Sequence, residues 1–391
     1  MISYEEIRRL AQQNYEWAVE TRRAFHRIPE PGFAEEKTKA LIVEKLKEIG
    51  VEYEVSEHGW IAAYIPGSRE GKITALRADF DALPVDEPVG CPFCSENPGY
   101  MHACGHDMHT SIMLATARLL KSLPEGFEGG CLLLFEPAEE TDGGAKIMAE
   151  SGIMERLHVD RVYGLHVMPR ILTGQIESRP GTLNASTDSI IIKVNGTVSH
   201  GAYPENGCDA IVCAGQMVSA LQTIVARNVA PLENAVLSIG TINGGKANNI
   251  ICDKVVMQGT LRCANRELRA KLVKRINEIC EYTARALGCT AEVEINEGYA
   301  ALVNDSEHAA RILRIASEMY GNDKALVKDA PSMGAEDFSY FLDHAPGAFF
   351  HVGCSPDEDH ICAPLHSEKF NPDERAMRYG IEMEAALVLC D

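Results

Sequence analysis

The chain has 391 residues, 46% hydrophobic and 24% charged, which is enough apolar side chain to fill more than one core, so two domains are expected. A formal net charge of -20, with no run of Lys and Arg, argues against nucleic acid as a partner, because phosphate backbones are bound by clustered cations. Thirteen cysteines, an odd number spread thinly and partly inside runs such as AIVCAG and INEICEY, suit reduced thiols and exclude a disulfide scaffold.

The chain opens on MISYEEIRRLAQQNYEWAVETRRAFH, which reads as an amphipathic helix and not as a signal peptide. No stretch is expected to reach roughly 18 apolar residues, so no membrane partner and a cytoplasmic location are expected. A break at HRIPEPGF precedes a second helix over residues 34–49. The texture then changes to short β-favouring runs, ITALRADFDAL (73–83), GGCLLLFEPAEE (129–140) and RVYGLHV (161–167), separated by helical segments such as SIMLATARLLKSL. That alternation predicts an α/β domain built on a mostly parallel sheet, with the ligand crevice beyond the carboxyl ends of the strands.

From about Thr187 to Gly298 the order is strand, helix (209–225), strand, strand, helix (266–287), strand. This β-α-β-β-α-β order is the split βαβ, ferredoxin-like arrangement and reads as an inserted domain, giving divisions at 1–185, 186–298 and 299–391. The first texture resumes with SEHAARILRIASEMY, GAFFHVG and a last helix expected to start at Asn371–Pro372, Asn as cap and Pro in the first turn.

Chemistry concentrates in MHACGHDMHT, residues 101–110. Cys104 and His106 cannot share a helix face at i and i+2, but in a turn a thiolate and an imidazole can meet on one transition-metal ion. The decapeptide alone leaves a metal loop and a hydrogen-bonding loop both open. In EPAEE an apolar run feeds into Glu139 and Glu140, and paired carboxylates at a strand end need a positive partner. A metal gives each a role, one as ligand and one as acceptor of a proton from water. His166 in YGLHVMP and His366 in APLHSEKF each fit a satisfied core or loop histidine when taken singly. With Cys104, His106 and Glu140 they make five N, O and S donors, enough for two ions.

Taken in order, MHACGHDMHT, EPAEE, GLHVMP and PLHSEKF resemble the zinc-dependent aminoacylase and carboxypeptidase family, in its branch of hippurate hydrolases, N-acyl-amino-acid amidohydrolases and auxin-conjugate hydrolases. RRAFHRIPEPGFAEEKT, LRADFDALPV, VSHGAYPENGCDAI, ANNIICDKV, GTLR and MGAEDFSYF fit the same pattern, so the resemblance covers nearly the whole chain. It implies a catalytic domain holding two divalent metal ions, zinc or manganese with nickel or cobalt also compatible, interrupted by a lid and dimerisation domain. It implies metal ligation by Cys104, His106, Glu140, His166 and His366, where Cys104 stands at a position that the wider family usually gives to a bridging carboxylate.

By the same resemblance Glu139 is the general base, His200 a lid histidine that reaches an active site, often the partner subunit's, and Asn248 and Arg262 lid residues that bind substrate. The register leaves Asn249 as an alternative to Asn248. The expected activity is hydrolysis of an N-acyl amino acid, a small molecule, by a homodimer or higher homo-oligomer joined through the lid. Alternatives are an N-acetyl-diaminopimelate deacetylase, a dipeptidase or carboxypeptidase, and a non-catalytic metal-binding relative, although no ligand and no general base is missing.

Three further features fall near these motifs. CPFC (91–94) has C-x-x-C spacing without a second pair and reads as an ordinary loop. Asp107 is expected to orient His106, while His102 and His109 fit loop packing. Glu336–Asp337 is expected to shape a loop or cap a helix and not to ligate metal.

Overall fold

The computed structural model describes residues 2–88, 90–141 and 143–390. The chain falls into two compact units, one running to Leu183 and resuming over Val303–Ala330 and from Asp337, the other comprising Asn184–Leu302 with Pro331–Glu336.

The described residues of the first unit build an eight-stranded sheet, ordered 52–55, 61–66, 128–136, 69–79, 161–172, 347–355, 176–178, 325–327. Its four central strands, Glu128–Glu136, Arg69–Asp79, Arg161–Leu172 and Gly347–Ser355, are mutually parallel, with antiparallel pairings towards the edges. Leu132 to Phe135 are fully buried, as expected for a parallel strand covered on both faces, which is why the run shows no alternation. The sheet register sets Asp79 beside Glu136 and His166 beside His351. Helices Tyr4–His26, His106–Lys121 and Ala376–Leu389 pack together over the sheet and supply much of its apolar cover.

Local signals set the helix starts. Ser3 caps the first helix by accepting from Glu6 N. The second helix is Glu36–Ile49, and Glu30, from the HRIPEPGF break, accepts from the free amides of Lys37 and Thr38, each at 2.9 Å. The last helix begins at Ala376, not at Asn371–Pro372, because Asp373 first closes a turn by accepting from Arg375 N at 3.0 Å.

The second unit has four antiparallel strands ordered Ala235–Gly244, Lys254–Cys263, Asp188–Asn195, Thr290–Glu297. Ile190, Ile192 and Val194 point alternately inward against the helices Ala210–Leu221 and Arg266–Ala286. The first of these helices is shorter than expected, and a second, Thr223–Asn228, follows Gln222. One run among the described residues, Ala210–Asn228, is by length and composition apolar enough to cross a membrane, with a mean hydropathy of 1.3. Its residues Cys213, Ala214, Met217, Leu221 and Ile224 are buried in the unit's own core, while Ile211 and Val212 on the same run are exposed.

Candidate metal centre

The decapeptide is half turn and half helix. Helix His106–Lys121 starts inside it, and Gly105 holds the preceding turn with φ of 92°. A Cβ there would lie 2.5 Å from Val167 Cγ2, so both the left-handed backbone and the close approach require glycine. Cys104 lies before the turn and His106 after it, and Thr110 Oγ1 ties the helix to the end of strand Arg69–Asp79 by donating to Asp79 O at 2.9 Å. On the other side, His366 N donates to Ala103 O at 2.9 Å, which brings the 366 segment beside the turn.

Donor atoms converge here from four segments distant in sequence. Cys104 Sγ lies 3.3 Å from His166 Nε2 and 3.5 Å from His366 Nε2. His366 Nε2 lies 3.1 Å and His106 Nε2 4.0 Å from Glu140 Oε1. The donor atoms of Cys104, His106 and His166 lie within 4.8 Å of one another, as do those of Cys104, Glu140 and His366 and those of His106, Glu139 and Glu140.

The second nitrogen of each buried ring explains why the first is free to coordinate. His106 Nδ1 sits 3.0 Å from Asp81 Oδ1, so Nδ1 carries the proton and the lone pair is on Nε2, a buried atom with no hydrogen-bond partner. His166 Nδ1 sits 2.6 Å from Val167 O, which turns its Nε2 lone pair towards Cys104. His109, close to both rings, is already used at both nitrogens, with Nδ1 2.6 Å from Asp79 Oδ1 and Nε2 accepting from Val167 N at 3.0 Å. It holds Asp79 and the His166 strand together and has no lone pair left for an ion.

Asp107 does not orient His106. Its Oδ2 accepts from Arg22 Nε and lies against His26 Nδ1, each at 2.7 Å, and the aspartate that orients His106 is Asp81. Asp79 and Asp81 went unmarked as site residues because LRADFDAL reads as the polar end of a strand. Asp81 Oδ2 also accepts from Glu140 N at 3.0 Å, fixing the EPAEE turn, where Ala138 takes a φ of 59° and Ala138 N donates to buried Glu35. Beneath them, fully buried Arg77 donates to Asp79, Glu136 and Asp337 at 2.6 to 2.8 Å. Asp337 also accepts from Ala145 N and opens the short helix Asp337–Asp343.

The electrostatics are those of a pocket short of positive charge. Burial opposes ionisation of Asp79, yet Arg77, His106 and His109 hold it well below the usual carboxylate range. Burial also opposes charging of His106, but Asp79, Cys104 and Asp81 raise its affinity for a proton well above that of an ordinary imidazole. The hydrogen bond to Glu140 raises His366 in the same sense. Burial pushes the Cys104 thiol up, so a thiolate there needs a cation, and burial drives His166 towards its neutral, ligating form. A divalent ion answers all of these demands together, and the N, O and S donor set suits zinc and its neighbours.

His200, Asn248 and Arg262 lie in the second unit. His200 is exposed, paired with Ile250 in a two-residue ladder, and its Nδ1 accepts from Ala202 N at 3.1 Å. Asn248 is exposed in the loop before Ile250, and the neighbouring Asn249 is engaged through its carbonyl, which accepts from Gly201 N at 2.7 Å. Arg262, half-buried on strand Lys254–Cys263, donates from Nη1 to Met333 O at 2.8 Å.

Residues 75–389 match the model of peptidase family M20/M25/M40, and the chain belongs to that family. Among curated relatives it is 39% identical to an N-acetyl-L-cysteine deacetylase of Bacillus subtilis, over 91% of this chain and 83% of that one. It is 35% identical to an N-acetyldiaminopimelate deacetylase of Exiguobacterium sibiricum (94% and 97% covered) and 36% identical to thermostable carboxypeptidase 1 of Saccharolobus solfataricus (98% of each). Among solved structures, a candidate aminohydrolase from methicillin-resistant Staphylococcus aureus superposes with a TM-score of 0.92 at 34% identity over 99% of each chain. The Bacillus subtilis YXEP protein, described as a dinuclear metal binding peptidase of family M20, superposes with 0.83 at 30% over 96% of this chain and 98% of that one. The protein is therefore a hydrolase acting on amides, with a catalytic-plus-lid architecture.

Proposed function

We propose that this protein hydrolyses N-acyl amino acids to a carboxylic acid and a free amino acid, using two divalent ions held by Cys104, His106, Glu140, His166 and His366. The observation that carries this reading is the orphaned His106 Nε2, aimed with the Cys104 thiol at the Glu139–Glu140 pair from a ring locked by Asp81. When bound, zinc or manganese, or nickel or cobalt, would polarise the scissile carbonyl and make water more acidic.

Glu139, 8% exposed and within reach of the donors of His106 and Glu140, takes the proton from water and returns it to the leaving nitrogen. His200 has Nδ1 occupied by an amide, so Nε2 carries the proton, the form that donates to a developing oxyanion. Asn248 and Arg262 hold the substrate carboxylate or the acyl carbonyl, Arg262 keeping guanidinium donors beyond the one given to Met333. The relatives that remove acetyl groups from cysteine and diaminopimelate support a small N-acyl amino acid as substrate.

The same reading gives a cytoplasmic homodimer or higher homo-oligomer joined through the second unit. All thirteen cysteines are unpaired, which fits a reducing compartment. The edge strand Ala235–Gly244 and the exposed Ile211, Val212 and Ile242 offer an apolar contact surface.

Amine release from acetyl, benzoyl, phenylacetyl and long-chain acyl amino acids and from dipeptides, by metal-loaded enzyme beside Glu139→Gln, tests the assignment. Cleavage of one acyl class, lost in Glu139→Gln with metals retained, is expected. Cleavage of dipeptides alone would move the assignment to a peptidase, and no cleavage by fully metallated protein would overturn it.

A further inference from the structure

The C-x-x-C segment brings two sulfurs beside a carboxylate. The geometry points to a second, thiophilic metal site in the first unit, with Cys91, Cys94 and Glu87 as ligands for one zinc-class divalent ion. The two sulfurs and a Glu87 oxygen lie within 4.8 Å of one another. Donors sharing a tetrahedral zinc, with Zn–S about 2.3 Å and Zn–O about 2.0–2.2 Å, stand about 3.5–3.8 Å apart, so small side-chain movements close the set.

The surrounding groups are arranged for those ligands. Cys91 N already donates to Cys94 Sγ at 3.0 Å, a bond that strengthens when the sulfur becomes a thiolate. Cys94 N donates to Cys91 O at 3.3 Å, closing the turn that puts both thiols on one side. Glu87 is fixed from two directions, Oε2 accepting from Ser95 N at 2.6 Å and Oε1 lying 3.1 Å from His26 Nε2. His26 is in turn anchored on Asp107, with Nδ1 2.7 Å from Oδ2.

Two thiolates and a carboxylate on a dication leave one net negative charge. The guanidinium groups of Arg22 and Arg23 each lie 5.0 Å from the Phe93 ring between the cysteines, where they also pair with Asp107 and Glu374. Arg22, His26, Cys91 and Phe93 line a cavity of about 530 Å³, which leaves the fourth coordination position open to a further ligand.

Binding is an exchange of two thiol protons for the ion, M²⁺ + 2 RSH → M(SR)₂ + 2 H⁺, with no change of oxidation state. An ion there staples the segment between the Leu83–Met101 bridge, which leads directly into the decapeptide. Its ligands are separate from Cys104, His106, Glu140, His166 and His366.

Zinc content after exhaustive dialysis, measured on the whole protein, tests the site. Wild type should carry one zinc equivalent more than Cys91→Ser/Cys94→Ser, and the double variant should keep its amide-hydrolase turnover. Cys104→Ser should lose turnover yet keep that equivalent, and in it cadmium should still give a thiolate charge-transfer band that disappears when Cys91 and Cys94 are also replaced. Glu87→Gln, which leaves both thiols and the turn in place, should hold the ion more weakly without losing the band. Equal zinc in wild type and double variant would overturn the proposal, as would a Cys91–Cys94 disulfide in protein purified without reductant.

Discussion

Three candidate ligands of the first unit and two candidate residues of the second sit in opposite surroundings, while His366 is exposed and Glu140 and Arg262 are half-buried. In the first unit Cys104, His106 and His166 are buried, and both histidines have their second ring nitrogen held by a neighbour. In the second unit His200, at the end of a two-residue strand, and Asn248, in a loop, are exposed, and the ring of His200 is held only by the amide of Ala202. Buried polar donors with converging lone pairs are costly unless they bind something, so the packing of the first group favours a bound ion. Exposed donors cost nothing to leave unused, and their purpose rests on what substrate brings to them. Substitutions in the first group should therefore change metal binding or proton transfer, and those in the second should change turnover alone.

The sharpest test of that division is Glu139→Gln. It preserves shape and removes the proton acceptor, so kcat should fall by about 10²–10⁴-fold while metal content stays at the wild-type level. A variant that lost its metals instead would make Glu139 a ligand and blur the division. Next in size, His200→Ala should lower kcat by about 10²–10³-fold, the scale of one oxyanion donor, with unchanged metal content and thermal stability. Unchanged kcat would leave the second unit with a packing role only.

The fold was legible where patterning was strong. LLLF announces a strand of a mostly parallel sheet, and the strand and helix order over residues 187–298 announces the split βαβ unit. Helix starts were less so, because Glu30 reaches seven residues along the chain to cap Lys37, and Asp373 delays the last helix, neither of which a local cap rule detects. In the candidate site, the residue types that bind metals stood out in the sequence, whereas the aspartates that aim them did not. Asp81 is 25 residues from His106 and becomes its partner only where the helix that His106 starts meets the end of strand Arg69–Asp79. Asp81→Asn offers a third test: with the ring no longer fixed by a carboxylate, metal affinity should fall about 10–100-fold by equilibrium dialysis, and excess metal should restore much of the kcat. Unaltered affinity would move the control of that tautomer elsewhere.

The smallest effect comes from a carboxylate that shares the burial of the metal corner but not its cations. Glu384, on the last helix, is 2% exposed and accepts from Thr116 Oγ1 at 2.7 Å. Burial pushes its carboxyl up to about 8, against the weaker opposing effect of that hydroxyl. Asp79, equally buried but beside Arg77, goes the other way. Between the ordinary value of 4.5 and about 8, folded protein holds a proton at Glu384 that the unfolded chain has released. The associated stability is therefore complete below the lower value, declines through the window and is gone above the upper one. Glu384→Gln stays neutral throughout, so from about pH 5 to about pH 9 the Tm of wild type should drop relative to the variant, by about 2–4 °C for each kcal/mol of lost stability. Parallel Tm curves would mean that Glu384 ionises freely inside the fold. Burial alone would then not neutralise a carboxylate in this core, and the ionised state of Asp79 would no longer require the positive charge that Arg77 and the neighbouring imidazoles supply.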